Sequence, residues 1–426
     1  MNVHDSEQLA ELLKSSGYGT TGSAKDADLI IVNTCSIRDK AEQKVYSELG
    51  RYKLLRKARP HLIIGVCGCV AQQQGERLLE KIPGLDLVFG THNIHRLPEF
   101  ISRVETTGRP VVETSFRETV PSIGILALPE KGSVSAFVTI MQGCDNYCAF
   151  CVVPYLRGRE ESRKFHDILA EVRALAAHGV KEVTLLGQNV NSYGKSFGNG
   201  HSFSELLRAI GEIEGVERIR FTTSHPKDLS DDIIECFRDV KALCEGIHLP
   251  VQSGSDEVLA RMNRKYTRTD YLDCIRKLRE ACPDIAVSSD IIVGFPGETE
   301  QDYQKTLDLM EKVRFDTLFS FQYSERKGTA AVGLDGKVNP DEKRKRLIGL
   351  QALQDRHTQE KNNTLVGKTV EVLVEGTSRN TSRDVMGRTR TNKIVNFAGG
   401  RDLVGKTVRV RIVEAFLHSL RGEMLD

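Results

Sequence analysis

Between residues 137 and 321 the sequence repeats one pattern six times: a short apolar run, a loop, then a helical stretch. The runs fall at 137–141, 183–186, 218–222, 247–251, 286–293 and 317–321, and helical periodicity is plainest at 166–178, 204–213 and 268–281. Intervening stretches of this length make crossovers rather than hairpins, so the strands they join run parallel. Successive right-handed crossovers curl such a sheet into a barrel or partial barrel, with its active site at the carboxyl ends of the strands. A partial (β/α)6 barrel is therefore the expected centre of this chain.

A second α/β region precedes it, over residues 1–105. Asp5 or Ser6 can cap a helix whose Leu9, Leu12 and Leu13 share one face, and Gly17 can end it. The wholly apolar run at 29–32 reads as a strand buried on both faces of a parallel sheet, with Cys35 just past its end. A charged helical stretch at 38–58 stops before Pro60, and a second strand at 62–66 leads into Cys67, Gly68 and Cys69. Ligands of open α/β sheets bind beyond the carboxyl ends of the strands, where Cys35 and Cys69 both project. The pattern opens on a helix, so the first strand of this region is expected to be missing.

Residues 106–129 read as a linker, 130–363 as the barrel with a connector helix, and 364–426 as a small all-β barrel. The connector opens at Asn339 and Pro340; its Leu347, Leu350 and Leu353 are expected to pack on the barrel and its basic run to be a solvated face. The last segment alternates apolar and polar residues at 370–376 and 408–415, with glycine-rich turns between. It carries 11 Lys plus Arg against 7 Asp plus Glu, a surplus that suits a polyanion or a solvated surface, while the whole chain is only +2.

Hydrophobic and charged fractions of 39% and 28% in 426 residues are those of a folded chain. No apolar run reaches the roughly 18 to 20 residues a bilayer requires, and MNVHDSEQ lacks the regions of a signal peptide, so the expected place is the cytoplasm with no membrane partner. Ten cysteines in a reducing compartment are first read as ligands or catalytic thiols, not disulfides.

Three of them, Cys144, Cys148 and Cys151, form CxxxCxxC in the loop after the first barrel strand. Three thiolates are one short of the four that close a structural zinc or iron-sulfur site, so a [4Fe-4S] cube held this way keeps one iron open to S-adenosylmethionine (SAM). A reduced cube can pass one electron to the sulfonium, breaking a carbon-sulfur bond and releasing methionine and a 5'-deoxyadenosyl radical. The competing readings are a zinc site completed by a distant His, or unrelated thiols. Phe150 packs on an adenine, shields the cluster or is plain core. Gly187, Gln188 and Asn189 after the second strand, Gln252 and Ser253 after the fourth, and Gly294, Phe295 and Pro296 after the fifth support the same end of the barrel as a cofactor face. Cys236, Cys244, Cys274 and Cys282 lie on helical or strand patterns and read as core.

MQGCDNYCAFCVVP resembles the cluster loop of the radical SAM superfamily, whose glycine-rich stretch after the second strand contacts SAM. NTCSIRDKAEQK, GCVAQQQGE, FGTHNIHRLPE, CVVPYLRGREESR, VQSGSDEVL and SSDIIVGFPGET resemble its methylthiotransferase family across essentially the whole chain. NTCSIR, HNIHRLP and VVPYLRG look most like the branch acting on dimethylallyladenosine in tRNA, rather than those acting on threonylcarbamoyladenosine or a ribosomal-protein aspartate.

The resemblance implies a methylthio group added to carbon 2 of isopentenylated adenosine beside the anticodon. One SAM gives the methyl group and a second the radical, while sulfur comes from or through an auxiliary [4Fe-4S] cluster in the first domain. It also implies a carboxyl-terminal TRAM module that holds the tRNA anticodon arm chiefly by its phosphates, an electron donor such as flavodoxin or ferredoxin, a sulfur donor, and a monomer.

The family's auxiliary cluster uses three cysteines, the first in a GCQMN stretch. This sequence starts at the MN of that stretch, which leaves Cys35 and Cys69 as the matched ligands and points to a truncated or misassigned start. Cys67 is a poor substitute, because alternate residues of a strand point to opposite sides. Read without the family, Cys35 and Cys69 are as readily buried core thiols as ligands. A non-catalytic iron-sulfur RNA-binding protein is the reading from another class.

Overall fold

The computed structural model describes the chain except residues 35–38, 117–127, 199, 379–380, 382 and 426, and gives 39–44 without side chains. It forms two compact units, one of Met1–Pro129, Gln142–Asp145 and Val152–Glu161, the other of Glu130–Met141, Asn146–Cys151 and Ser162–Asp426. No helix among the described residues is long and apolar enough to cross a membrane.

The first unit contains α1 (Asn2–Ser15), β1 (Leu29–Thr34), α2 (Asp39–Ala58), β2 (Ile63–Gly68), α3 (Cys69–Gln74), α4 (Arg77–Lys81), β3 (Leu87–Phe89), α5 (Leu97–Thr107) and β4 (Val111–Glu113). The strands form one parallel sheet in the order β1-β2-β3-β4. Strand alternation sends Ile64, Val66 and Val88 to one face, against Val45 and Leu49 of α2 and Leu78 of α4. Cys67, Leu87 and Phe89 go to the other, against Leu9 and Leu12 of α1 and Leu97, Phe100 and Val104 of α5.

Four expectations need correction here. Leu29 to Val32 are half-buried, because among the described residues β1 is an edge strand with only one flank paired. Val111–Glu113, inside the expected linker, is a fourth strand, too short for periodicity to register. Cys67 and Gly68 belong to β2 itself, and Cys69 opens α3. Asp5 is no cap: the helix starts at Asn2, and the buried Asp5 pairs at 2.7 Å with Arg157 of α6 (Val153–Arg157).

In the second unit β5 (Ser135–Thr139), β8 (Glu182–Leu186), β9 (Arg218–Phe221), β10 (Gly246–His248), β11 (Ala286–Val293) and β12 (Thr317–Gln322) run parallel; the two-residue strands β6 (Met141–Gln142) and β7 (Glu161–Ser162) each have one residue in either unit. The first three form one sheet and the last three another, and Ile219 of β9 makes an isolated parallel bridge to Leu243, three residues before β10. Among the described residues β5 and β12 do not pair, so the barrel is open.

Around the barrel lie α7 (Phe165–Ala177), α8 (Phe203–Gly211), α9 (Asp231–Asp239), α10 (Asp256–Arg261), α11 (Arg268–Ala281), α12 (Glu300–Val313) and α13 (Pro340–Asn363). Ser202, Thr267 and Thr299 start α8, α11 and α12 through reciprocal bonds with the acidic residue three places on. Their inward faces pack on Val183, Leu185, Ile219, Phe221, Val287 and Ile291 in one core.

Asn339 caps α13 through the Asp341 N–H at 2.8 Å, and Leu350 is fully buried with Leu347 and Leu353 beside it. The basic run is not wholly solvated, however, since Arg346 turns inward to a buried pair with Glu298 at 2.8 Å.

Strands β13 (Thr369–Thr377), β14 (Asp384–Thr389), β15 (Ile394–Ala398), β16 (Thr407–Ala415) and β17 (Leu420–Met424) close a five-stranded barrel around Val372, Val374, Val385, Phe397, Val410 and Ile412. It is fixed to β9. The buried Arg218 donates to the Arg388 carbonyl at 2.7 Å and pairs with Glu371 at 3.0 Å. Arg220 donates to the carbonyls of Thr389 and Arg390, both at 2.8 Å, and Arg390 reaches back to Glu245 at 2.8 Å and the Leu243 carbonyl at 2.7 Å.

Leu350→Ala should lower stability by about 2–5 kcal/mol, because α13 cannot collapse onto the space left against the barrel. Urea denaturation followed by far-ultraviolet circular dichroism measures it, and an unchanged midpoint would show that α13 contributes nothing to this core.

Candidate functional site

The loop after β5 and β6 carries the cysteine trio. Cys144 falls in the first unit and Cys148 and Cys151 in the second. Cys144 is buried, and its N–H donates to the Gly158 carbonyl at 3.3 Å. Gly143 before it has φ +77, and a β-carbon there would lie 1.9 Å from the Arg159 oxygen, so only glycine fits.

In the second unit backbone bonds clamp the loop: Ala149 N–H to Met262 O at 2.8 Å, Ala331 N–H to Ala149 O at 2.8 Å, and Cys151 N–H to Cys148 O at 2.9 Å. The Asn263 amide adds a bond to the Tyr147 carbonyl at 2.8 Å. Phe150 packs edge-on against Phe295, 6.4 Å between ring centroids, and is partly buried against a small core with Tyr323.

Cys148 is buried beside Arg264, whose Nη1 stands 3.3 Å from its sulfur. Among the described residues no group of three His, Cys, Asp or Glu side chains gathers closely enough to hold a metal ion. Thiolates are the ligands that iron-sulfur clusters take, so the donor set fits such a cluster.

Past the carboxyl ends of the barrel strands several buried polar atoms have no hydrogen-bond partner among the described residues: Asn189 Oδ1, Ser224 Oγ, His225 Nε2, Gln252 Oε1 and Tyr323 OH. Leaving so many unpaired is costly, and a polar cofactor such as SAM offers the missing partners. Asn189 is oriented by its amide bond to Asp228 at 2.8 Å, and Asp228 is in turn paired with Lys195. Gln252 is held at φ +70 between its N–H bond to Asp290 O at 2.8 Å and the Ile292 N–H at 3.0 Å.

His225 Nδ1 accepts from the Lys227 N–H at 3.3 Å, which puts the proton of the neutral ring on Nε2. Burial, then the charges of Arg264, Lys227 and Lys195, hold this imidazole down to about 2. It is a neutral donor throughout the physiological range.

The other expected site residues also make contacts within the fold. A β-carbon on Gly187 would lie 2.4 Å from Met141, and the Ser253 hydroxyl is engaged by the Ser255 N–H at 3.2 Å and Thr306 at 3.4 Å. Gln188 is half-buried. Gly294 donates its N–H to Glu298 at 3.0 Å, and Phe295 is fully buried.

Sequence reading missed Arg264, Tyr266, Ser224 and His225. The last two follow the third strand in TTSHP, at a position where any loop residue could have been considered; Arg264 and Tyr266 lie between helices, and only burial singles them out.

In the first unit Cys35 lies outside the described residues. The residue before it, Thr34, pairs in register with Gly68, and its hydroxyl donates to Cys67 O at 2.6 Å and accepts from the Val70 N–H at 3.2 Å. Thr34 is thus tied to the corner that carries Cys69. Cys69 is buried against Val152 and Leu156, and its sulfur bonds to the buried Arg157. Cys67 points into the opposite core, and burial, with Asp5 next, pushes its thiol well above the usual range. Cys236, Cys244 and Cys282 are buried core thiols, each pushed up to about 11 by that burial. Cys274 is half-buried at the rim of the same core.

Residues 138–310 match the radical SAM superfamily, 363–425 the TRAM domain and 1–90 an uncharacterized protein family designated UPF0004. A protein of Syntrophus aciditrophicus (strain SB), named tRNA-2-methylthio-N(6)-dimethylallyladenosine synthase, is 60% identical over 425 residues, covering 100% of this chain and 92% of that one. One of the same name from Geotalea uraniireducens (strain Rf4) is 53% identical, covering 100% and 96%.

Among solved structures, the radical S-adenosylmethionine methyltransferase TsrM from Kitasatospora setae shares the fold, with a TM-score of 0.55 at 15% identity over 74% of this chain and 69% of that one. The cobalamin-dependent S-adenosylmethionine radical enzyme OxsB gives a TM-score of 0.53 at 14% identity over 83% and 53%.

The unfolded chain protonates His225 near 6.5, so its contribution to stability is complete above that pH and is lost as pH falls toward 2. At pH 5 the loss is about 2 kcal/mol. Between pH 7 and pH 5, His225→Gln should lose about 2 kcal/mol less in urea titrations than the parent protein; equal losses would contradict the neutral buried ring.

Proposed function

Because the chain belongs to the tRNA-2-methylthio-N(6)-dimethylallyladenosine synthase family, we propose that it transfers a methylthio group to carbon 2 of N(6)-dimethylallyladenosine beside the tRNA anticodon. The observation that carries this reading is identity of 60% across the full chain to a protein of that name. The enzyme class is a radical SAM tRNA methylthiotransferase, a sulfur-inserting transferase.

Cys144, Cys148 and Cys151 would hold a [4Fe-4S] cluster, three ligands leaving one iron for SAM. When bound, cluster and SAM supply a carbon-centred radical able to take the hydrogen from carbon 2. The chain's part is to place and shield it. The clamp from Met262, Asn263 and Ala331 keeps Cys148 and Cys151 at the barrel mouth. Asn189 and Gln252 offer oriented acceptors, and His225 and Ser224 donors, for the amino, carboxylate and ribose groups of SAM; Gly187, Gln188 and Ser253 shape the walls around them.

Cys35 and Cys69 would bind the auxiliary cluster, and the register of Thr34 with Gly68 supports this pairing. The basic carboxyl-terminal barrel would hold the anticodon arm by its phosphates. We keep the division 1–105, 106–129, 130–363 and 364–426, with β4 as an outpost of the first domain within the linker. A cytoplasmic monomer served by a low-potential electron donor such as flavodoxin or ferredoxin, and by a sulfur donor, completes the reading.

Cys148→Ala should abolish release of 5'-deoxyadenosine from SAM under reduction, measured by liquid chromatography and mass spectrometry; unchanged release would overturn the cluster assignment. In cells lacking this gene, tRNA nucleosides should lose the methylthio group from isopentenyladenosine alone. Loss from threonylcarbamoyladenosine instead would reassign the substrate.

A further inference from the structure

Four arginines are buried among the described residues: Arg157, Arg218, Arg264 and Arg346. Three have a carboxylate within ion-pair distance, Asp5 at 2.7 Å, Glu371 at 3.0 Å and Glu298 at 2.8 Å. Arg264 pairs with none among the described residues. Its Nη2 donates to the Pro250 carbonyl at 2.9 Å and its Nε to the Tyr266 hydroxyl at 2.9 Å. That hydroxyl gives its own proton to the Val251 carbonyl at 2.8 Å, so it accepts from Arg264 as a neutral phenol. The remaining contact, Nη1 to the Cys148 sulfur at 3.3 Å, is the one that leads to an acid.

A buried guanidinium without a counter-charge is strongly destabilising, and two neutral oxygens do not supply one. A thiolate-ligated iron-sulfur cluster carries net negative charge and has no acid side chain competing for this cation.

We propose that Arg264 is a positioning residue for the cluster at Cys148: it provides the counter-charge, orients the Cys148 sulfur through an N–H bond, and raises the reduction potential of the cluster. The inference rests on the reading of Cys148 as a cluster ligand. Adding an electron makes the cluster more negative, and a fixed cation with a bond to sulfur stabilises that state more than the oxidised one. The electron itself comes from the external low-potential donor.

The test uses the full chain reconstituted anaerobically with iron and sulfide. Midpoint potential is read by electron paramagnetic resonance on the cluster signal that changes when SAM is added, beside iron and sulfide counts. Arg264→Gln is expected to keep its iron while that midpoint moves to a more negative value, and Arg264→Lys to stay near the parent value. Full iron with a parent-like midpoint in Arg264→Gln overturns the proposal. If Arg264→Gln loses its cluster, Arg264→Lys decides: retention supports the charge as the reason, and equal loss from both refutes it. A parent protein with no SAM-responsive cluster signal refutes the ligand reading itself, a result separate from an unmoved midpoint.

Discussion

A strand that must be followed by a parallel neighbour cannot turn back in a hairpin; it has to leave the sheet, cross over a face and return at the starting end. Everything functional in the second unit follows from that restriction. The loops after β5, β8, β9, β10 and β12 emerge at one end of the sheet, and they carry Cys148 and Cys151, then Asn189, then Ser224 and His225, then Gln252, then Tyr323. The outward residues of these strands, among them Leu185, Phe221, Val287 and Ile291, are committed to the helices. A slip of one residue would turn them into the lumen, so the core that fixes the register also fixes the level of the site.

Much of this was legible because two periodicities differ. Apolar runs of four to eight residues separated by helical spacing gave all six barrel strands, and alternation gave the closed β-barrel at the end of the chain. Cysteine spacing named the loop that carries the site. What escaped reading was whatever depends on partners distant in sequence. Asp5 resembles a helix cap until Arg157, 152 residues away, is seen to require it. Arg346 sits in a run of surface-like charges, yet it is the one turned onto Glu298. Arg264 and His225 belong to loops of ordinary composition, and only their depth gives them meaning. Gly187 and Ser253 were legible as positions beside the site, while the Met141 side chain that leaves no room for a β-carbon at 187 and the bonds already made by the Ser253 hydroxyl are not legible in any motif.

Buried charge divides along the same line. Where an arginine is matched by a carboxylate, as with Arg157 and Asp5 in the first unit, the pair closes within the protein and stitches elements together. A guanidinium set against a cysteine sulfur leaves the pair open toward whatever the sulfur binds. The first unit contains a version of both: Arg157 meets Asp5 and also Cys69, and against the lowering effect of burial Asp5 first and Cys69 second raise its proton affinity.

The attachment of the terminal β-barrel to β9 involves Arg218, Arg220 and Arg390, each reaching backbone carbonyls as well as carboxylates. Bonds to main chain hold position and angle together, so this joint has little freedom to swing. A module anchored in that way behaves as a ruler: every point on its outer surface stands at a constant span from the barrel mouth.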